Sequence, residues 1–90
     1  MREIERTGQF KRDYKREKKT DSKLDDALAA AIALLAADKP LPEKLSDHRL
    51  SGQWKGYREC HIKPDLLLIY EKPKGKLSLV RLGSHSELFG

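Results

Sequence analysis

The stretch from Asp47 to Tyr70 concentrates the side chains of this chain that could do chemistry. It holds two of the three histidines, the only Trp, the only Cys and the strongest strand signal, Leu66–Tyr70. The third histidine, His85, lies near the C-terminus. An imidazole changes its charge near neutral pH and can act as a general acid or a general base. These residue types beside an apolar strand predict a proton-transfer site built on a sheet.

Alternation along a strand predicted over residues 57–62 sorts its side chains by face. Tyr57, Glu59 and His61 share one side, and Cys60 points to the other. Cys60 is therefore expected to be buried and unreactive.

Antiparallel pairing with the last strand could bring His61 and Arg81 onto one exposed face. His48 would arrive there from the preceding loop and Asp65 from a turn, with His85 sharing the side of Arg81 if that strand stays regular. A face with imidazoles, a guanidinium and a carboxylate suits cleavage of a phosphodiester.

RNA is the substrate that fits these residue types, because it carries its own nucleophile, the 2′-hydroxyl. The protein must supply a base for that proton, an acid for the departing 5′-oxygen and a cation for the phosphorane. We predict His61 and His85 as the principal proton-transfer pair, with His48 as a further acid–base or phosphate contact. Asp65 would orient an imidazole, and the fork of Arg81 would stabilise the phosphorane. Which histidine is the base does not follow from sequence.

Each of these residues also has an ordinary structural interpretation. His48 could cap a turn, His61 could be a solvated strand residue, and His85 could make a local hydrogen bond. Asp65 occupies a position that a turn favours. Trp54 could anchor the edge of the core instead of stacking on a base.

Length and composition limit the class of protein. Ninety residues predict a single domain over 1–90. A formal charge of +5 and a pI near 9.4 suit a polyanion or an acidic protein partner. One Cys fits a reducing cytosol, and no apolar run predicts a signal region or a membrane span. No pair of side chains has the usual spacing of metal ligands, so neither a metal nor a cofactor is expected.

The N-terminal half predicts a strand followed by two helices. Residues 1–6 form a short first strand, and Thr7 is expected to be the N-cap of a basic first helix. Ser22 followed by Asp25 resembles a capping box for a second helix, which should run to about Ala37. The short connection makes the two helices an antiparallel hairpin.

The C-terminal half predicts three strands and a tail. The strands cover residues 57–62, 66–71 and 77–84, and residues 85–90 form the tail. The order β-α-α-β-β-β predicts an α+β fold, with the helix hairpin on one face of a small antiparallel sheet. The other face is expected to be open to solvent and free to carry function.

Two motifs together resemble a known family. D-H-x-L-x-G-x-W-K-G-Y-R-x-x-H-x-x-P-D-x-x-L-I-Y starts at Asp47, and G-[ST]-H-x-x-L-F-G closes the chain. They are similar to the YafQ-type toxins of the RelE/ParE superfamily. The resemblance covers essentially the whole chain, including T-G-Q-F from Thr7 and an L-P-L-P-like linker at residues 39–42.

The resemblance implies a specific activity. Such toxins of type II toxin–antitoxin systems are ribosome-dependent mRNA endonucleases, which cut the codon in the ribosomal A site without a metal. Their partners are the ribosome, mRNA and an acidic antitoxin with a ribbon-helix-helix DNA-binding part, and operator DNA is contacted only through the complex. The family's fold is a small twisted antiparallel sheet backed by two helices, and a cytoplasmic location is expected.

The family's functional positions fall on residues that the chemistry also singled out. The resemblance implies that His48, His61, Asp65 and His85 are catalytic, that Phe89 supports the site and that Arg81 binds phosphate. Further candidates for contact with phosphate or RNA are Lys55, Arg58 and Trp54. The chain departs from the pattern at Leu66, where relatives often have an aromatic residue, so base preference or rate could differ.

Two other functions are compatible with this fold and charge. One is a non-catalytic ParE-like toxin that inhibits DNA gyrase by binding, and the other is a basic ribosome- or RNA-binding module. Three histidines at motif positions argue against the gyrase inhibitor, because such a toxin needs no acid–base set. Single His→Ala changes would separate a nuclease from a binding module.

Overall fold

The helical layer begins at Thr7 in the computed structural model, which describes residues 1–90. The Thr7 hydroxyl accepts a hydrogen bond from the Phe10 N–H at 2.9 Å, so the predicted N-cap is confirmed. Helix α1 spans Gly8–Thr20 and helix α2 spans Leu24–Ala36. None of the helices combines the length and apolar character that a membrane span requires.

The predicted capping box at Ser22 is wrong. Lys23 is the N-cap of α2, and its side chain makes no capping hydrogen bond. The Asp21 carboxylate instead accepts a hydrogen bond from the Lys23 N–H at 2.9 Å, which closes the turn between the helices. The first turn of α2 then carries Asp25 and Asp26, which the helix dipole favours.

Five strands form one sheet in the order β1-β5-β4-β3-β2. Their bounds are Glu3–Arg6 for β1, His48–Arg49 for β2, Arg58–Lys63 for β3, Leu66–Glu71 for β4 and Lys76–Gly83 for β5. A short helix α3, His85–Phe89, follows β5. The α+β class is confirmed. The predicted antiparallel arrangement of the last three strands is confirmed, and β1 joins the same sheet by pairing with β5 in parallel.

The main core lies between the helix hairpin and one face of the sheet, as predicted. Its largest fully buried side chains come from both layers, among them Leu24, Leu35, Leu68, Tyr70, Leu77, Leu79 and Leu82. Cys60 is also fully buried here.

The sequence predicted that the second face of the sheet would be open to solvent. In the structure this face is partly covered. Leu67 and Ile69 are buried there against Leu88 of α3, with Trp54 and Phe89 packed alongside. The C-terminal residues fold over this face because Ser84 and Glu87 form a capping box that starts α3.

Helix α1 also closes the edge of the sheet. β1 ends at Arg6, which pairs with Leu79 of β5. Beyond this point no strand pairs with the outer edge of β5, and the backbone of Leu82 needs other hydrogen-bond partners. Asp13 accepts a hydrogen bond from the Leu82 N–H at 3.0 Å, and Arg16 donates to the Leu82 carbonyl at 3.1 Å. Two helix side chains therefore replace the missing strand.

Candidate active site

A buried carboxylate lies between two of the predicted catalytic imidazoles. Oε2 of Glu59 is 3.2 Å from Nε2 of His48 and 3.5 Å from Nε2 of His61. The two imidazole rings are 6.4 Å apart between their centres. Glu59 is only 5 % exposed, whereas both imidazoles have one side in solvent. The structure thus brings His48 and His61 together, as the sequence predicted.

Strand pairing explains this arrangement. His48 pairs with Glu59 across β2 and β3, and His61 follows Glu59 by two residues on the same face of β3. His48 therefore reaches the site from a short edge strand and not from the predicted loop. The register continues from Glu59 to Ile69 on β4 and then to Arg81 on β5.

The third histidine is carried by α3 beside this face. His61 pairs with Leu67, and Leu67 pairs with Gly83, the last residue of β5. β3 and β5 are two strand spacings apart, about 10 Å. His85 is exposed in the first turn of α3, and its ring lies 5.1 Å from that of Phe89. His85 and Phe89 therefore flank the Glu59 cluster without contacting it directly.

The helix that carries His85 approaches β5 closely because residue 83 is a glycine. A Cβ atom there would lie 3.0 Å from Nη2 of Arg16, 3.2 Å from Oε1 of Glu87 and 3.3 Å from Cδ2 of Leu88. The capping box holds the start of α3: Ser84 N–H donates to Glu87 at 2.8 Å, and Glu87 N–H donates to the Ser84 hydroxyl at 3.2 Å.

Arg81 is tied to α1. Its Nε donates to Asp13 at 2.8 Å and its Nη2 at 3.4 Å, and 24 % of its side chain is exposed. Burial alone would raise the pKa of Asp13, but hydrogen bonds from Arg81, the Leu82 N–H and Gln9 lower it below its ordinary value. Asp13 therefore occupies one edge of the guanidinium that was predicted to bind phosphate, and Nη1 has no recorded hydrogen bond.

The regular strand expected around Arg81 is interrupted. Ile69 pairs with Arg81 and Tyr70 with Leu79, so Val80 is an extra residue in β5. This bulge re-aims the side chains between Leu79 and the start of α3.

Asp65 lies in the exposed turn between β3 and β4, beyond His61 and outside the Glu59 cluster. Lys55 is exposed in the connection from β2 to β3. Cys60 faces the helices, where burial raises its pKa to about 12, so it takes no part in the site.

Arg58 and Trp54, both predicted to contact RNA, are engaged within the chain. The Arg58 guanidinium lies 3.3 Å from a carboxylate oxygen of Asp47 and 3.3 Å from the Tyr70 hydroxyl. The ring of Trp54 packs edge-on against Tyr57 at 5.4 Å and against Phe89 at 6.2 Å. Trp54 therefore anchors the apolar cluster beneath α3, the alternative that the sequence left open.

Glu59 is the member of this site that sequence reasoning passed over. Alternation placed it on the face of His61, but no chemistry was assigned to it because the pairing of β2 was not predicted. No group of three or more His, Cys, Asp or Glu side chains is arranged to hold a metal ion.

Comparison with known proteins gives consistent matches over the whole chain. A family model described as "Bacterial toxin of type II toxin-antitoxin system, YafQ" matches residues 2–90. The mRNA interferase toxin YafQ of Escherichia coli strain K12 is 38 % identical over 89 residues, covering 99 % of this chain and 97 % of that protein.

Solved structures show the same fold. The toxin chain of the E. coli DinJ-YafQ complex superposes with a TM-score of 0.89 at 40 % identity and full coverage of both chains. A metal-bound toxin from Helicobacter pylori superposes with a TM-score of 0.88 at 48 % identity, covering 99 % of this chain and 100 % of that one.

Proposed function

Because the chain belongs to the YafQ family of bacterial toxins of type II toxin–antitoxin systems, we propose that it is an endoribonuclease that cuts mRNA in the ribosomal A site. The relative from E. coli K12 bears the name mRNA interferase. The single observation that carries the proposal is the pair His48 and His61 on a buried carboxylate, on the sheet face that α3 flanks with His85.

The proposed reaction uses the RNA's own 2′-hydroxyl as nucleophile. One imidazole takes the hydroxyl proton, and the 2′-oxygen bonds to phosphorus. The bond from phosphorus to the 5′-oxygen breaks, and a second imidazole gives that oxygen a proton. The products are a 2′,3′-cyclic phosphate and a 5′-hydroxyl. We assign the proton transfers principally to His61 and His85, with His48 as a further contact.

In this proposal Arg81 stabilises the negative charge of the phosphorane. A phosphorane gains negative charge, and a guanidinium donates to such oxygens with strong charge-assisted hydrogen bonds. Nη1 and the second N–H of Nη2 would be the donors for this, since Asp13 takes the Nε N–H and one N–H of Nη2. Asp65, at the exposed end of β3, would approach an imidazole only in the complex with RNA.

The openness of the site supports a requirement for the ribosome. His85, Lys55 and Asp65 are exposed, so this chain alone does not enclose a nucleotide. A ribosome would hold the codon in place against the toxin, which supplies the orientation that the open face lacks. The charge of +5 favours approach to ribosomal RNA.

We further propose that a cognate acidic antitoxin inhibits the toxin. The relative in the DinJ-YafQ complex is 40 % identical to this chain and has the same fold. The positive charge of this chain suits an acidic partner. Adding such an antitoxin in equimolar amount should abolish cleavage.

The replacement His85→Ala tests the catalytic proposal. Primer extension on translated mRNA should show cuts with the wild type and a loss of about 10²- to 10⁴-fold with the variant, the usual contribution of a proton-transfer group. Ser86→Ala, the exposed neighbour on α3, should leave the cuts unchanged. Equal cutting by His85→Ala would move the chemistry to His48 and His61. Growth arrest without any cuts would favour a toxin that acts by binding.

A further inference from the structure

Glu59 is a buried acid that the proton transfers described above do not use. Its side chain is 7 % exposed, and one oxygen, Oε2, faces Nε2 of both His48 and His61. Its neighbour in register on β4 is Ile69, which is fully buried and apolar. The two imidazoles are the only basic side chains within ion-pair distance of this carboxylate. Burial of the carboxylate weakens the screening by solvent of its attraction to a charged neighbour.

Hydrogen-bond accounting shows what the carboxylate does to His48. Nδ1 of His48 lies 2.6 Å from the backbone carbonyl of Ser46, and a carbonyl oxygen can only accept. Nε2 faces the Glu59 carboxylate, which when ionised also only accepts. The His48 ring is therefore held between the Ser46 carbonyl at Nδ1 and the Glu59 carboxylate at Nε2.

The same carboxylate orients His61 differently. Only Nε2 of His61 faces Glu59, and the structure gives Nδ1 no partner within the chain. A neutral His61 that donates from Nε2 carries its lone pair on Nδ1. Nδ1 is then the atom that can accept the proton of a 2′-hydroxyl.

We propose that Glu59 is a positioning residue, which sets the ring orientation and tautomer of His48 and His61 through one shared oxygen. This rests on the proposed nuclease function and deepens it, because it assigns the base to Nδ1 of His61. It also fixes the orientation of the His48 ring on the same face of the sheet. Carboxylates fix the tautomer and orientation of histidines in the same way in metal and triad sites.

The substitution Glu59→Gln tests this, because it removes the charge and keeps the shape. Single-turnover cleavage on programmed ribosomes should fall roughly 10- to 100-fold, as for other partners that orient a histidine. Binding to the ribosome should not change. The ¹⁵N ring signals of His48 and His61 in the free protein should move, while those of His85 stay in place.

Two further variants separate positioning from a structural role. Glu71→Gln makes the same change on the neighbouring strand β4 and is expected to leave cleavage and ring signals unaltered. Glu59→Asp keeps the charge on a side chain one methylene shorter, and it should retain more activity than Glu59→Gln. Equal losses in both Glu59 variants with unmoved ring signals would show a purely structural role and overturn the proposal.

The ring signals also separate this inference from the proposed function. If the wild type cuts RNA and Glu59→Gln cuts at the same rate, the positioning role is wrong. If the wild type cuts no RNA, the nuclease function fails by itself. In that case unmoved ¹⁵N signals in Glu59→Gln would overturn the positioning role, and displaced signals would uphold the coupling of Glu59 to both rings.

Discussion

The carboxylate of Asp13 joins helix α1 to the sheet beside the site. It is fully buried and accepts hydrogen bonds from Arg81, the Leu82 N–H and Gln9. Removing one member of a buried ion pair leaves the other without its partner. Asp13 therefore stabilises the fold and fixes the guanidinium that we assign to the phosphate.

Asp13→Asn is expected to lower the free energy of unfolding by about 2 to 4 kcal/mol. The loss stays towards the lower end of the range for buried pairs because Arg81 keeps 24 % of its side chain exposed. Urea denaturation measures it. Glu43→Gln, an exposed change in the connection before β2, should stay within about 0.5 kcal/mol. Equal stabilities of the two variants would contradict this role of Asp13.

The stabilisation by Asp13 should depend on pH. Its pKa in the folded protein is below the ordinary value of 3.8, so its contribution is fully present above that value and is lost as the pH falls through the folded one. The wild type should therefore lose stability below about pH 4 more steeply than Asp13→Asn. If the unfolding free energies of the wild type and Asp13→Asn changed in parallel with pH, the proposed contribution of the Asp13 carboxylate would be wrong.

The placement of individual side chains could be predicted where a motif or an alternating pattern marked their positions. The proximity of His48 and His61 on one face of the sheet and the burial of Cys60 could be predicted from the sequence. The role of Glu59 could not, because it depends on the pairing of a strand of two residues, His48–Arg49. The engagement of Arg81 by Asp13 joins positions 68 residues apart, which no local pattern reports.

Among the elements, α3 links the fold most directly to the site, since it carries both His85 and Phe89. It is short, and its position depends on the capping box and on the absence of a side chain at Gly83. A helix of five residues is not stable in isolation, so these tertiary contacts determine the position of His85.

Gly83→Ala should destabilise the protein by about 1 to 3 kcal/mol, because the added methyl overpacks the junction of β5 and α3. Arg16 and Glu87 can move aside at their flexible ends, so the lasting clash is with Leu88, 3.3 Å away. Cleavage should fall as His85 shifts with α3. The assays are urea denaturation and single-turnover cleavage.

The matched control is Gly8→Ala at the start of α1, where a Cβ would lie 3.5 Å from its nearest neighbour, an ordinary contact. It should be neutral or slightly stabilising. Full stability and activity in both variants would show that α3 does not need the close approach.

The strands of the C-terminal half were predictable to within one residue, because alternation and Pro- or Gly-containing turns mark them. Helix α3 was predicted as a tail, although Ser84-His85-Ser86-Glu87 carries the S-x-x-E pattern of a capping box. A segment this short has no periodicity that would confirm such a pattern. The start of α2 was misplaced at Ser22 because Asp21, one residue earlier, makes the turn.

In the whole molecule, the two faces of the sheet have different roles. The helix hairpin buries the main core on one side, and the other side carries the histidines under partial cover from α3. The α+β class followed from the order of elements. The parallel pairing of β1 did not, since nothing in a short exposed strand specifies its partner.

At this scale the histidines lie on an open surface of a basic protein, and that surface does not enclose a nucleotide. In the proposed function the chain would supply proton transfer and charge, and the ribosome would position the codon. Cleavage should therefore follow the reading frame and not the nucleotide sequence alone.

The most direct measurement is primer extension on an mRNA and on the same mRNA with one nucleotide inserted after the start codon. The purified toxin is added to a translating extract, with an initiation-blocked extract as the control. We predict cuts at fixed positions within codons that shift with the reading frame and disappear when initiation is blocked. Cuts at the same nucleotides in both messages, or on untranslated RNA, would contradict ribosome-dependent cleavage in the A site.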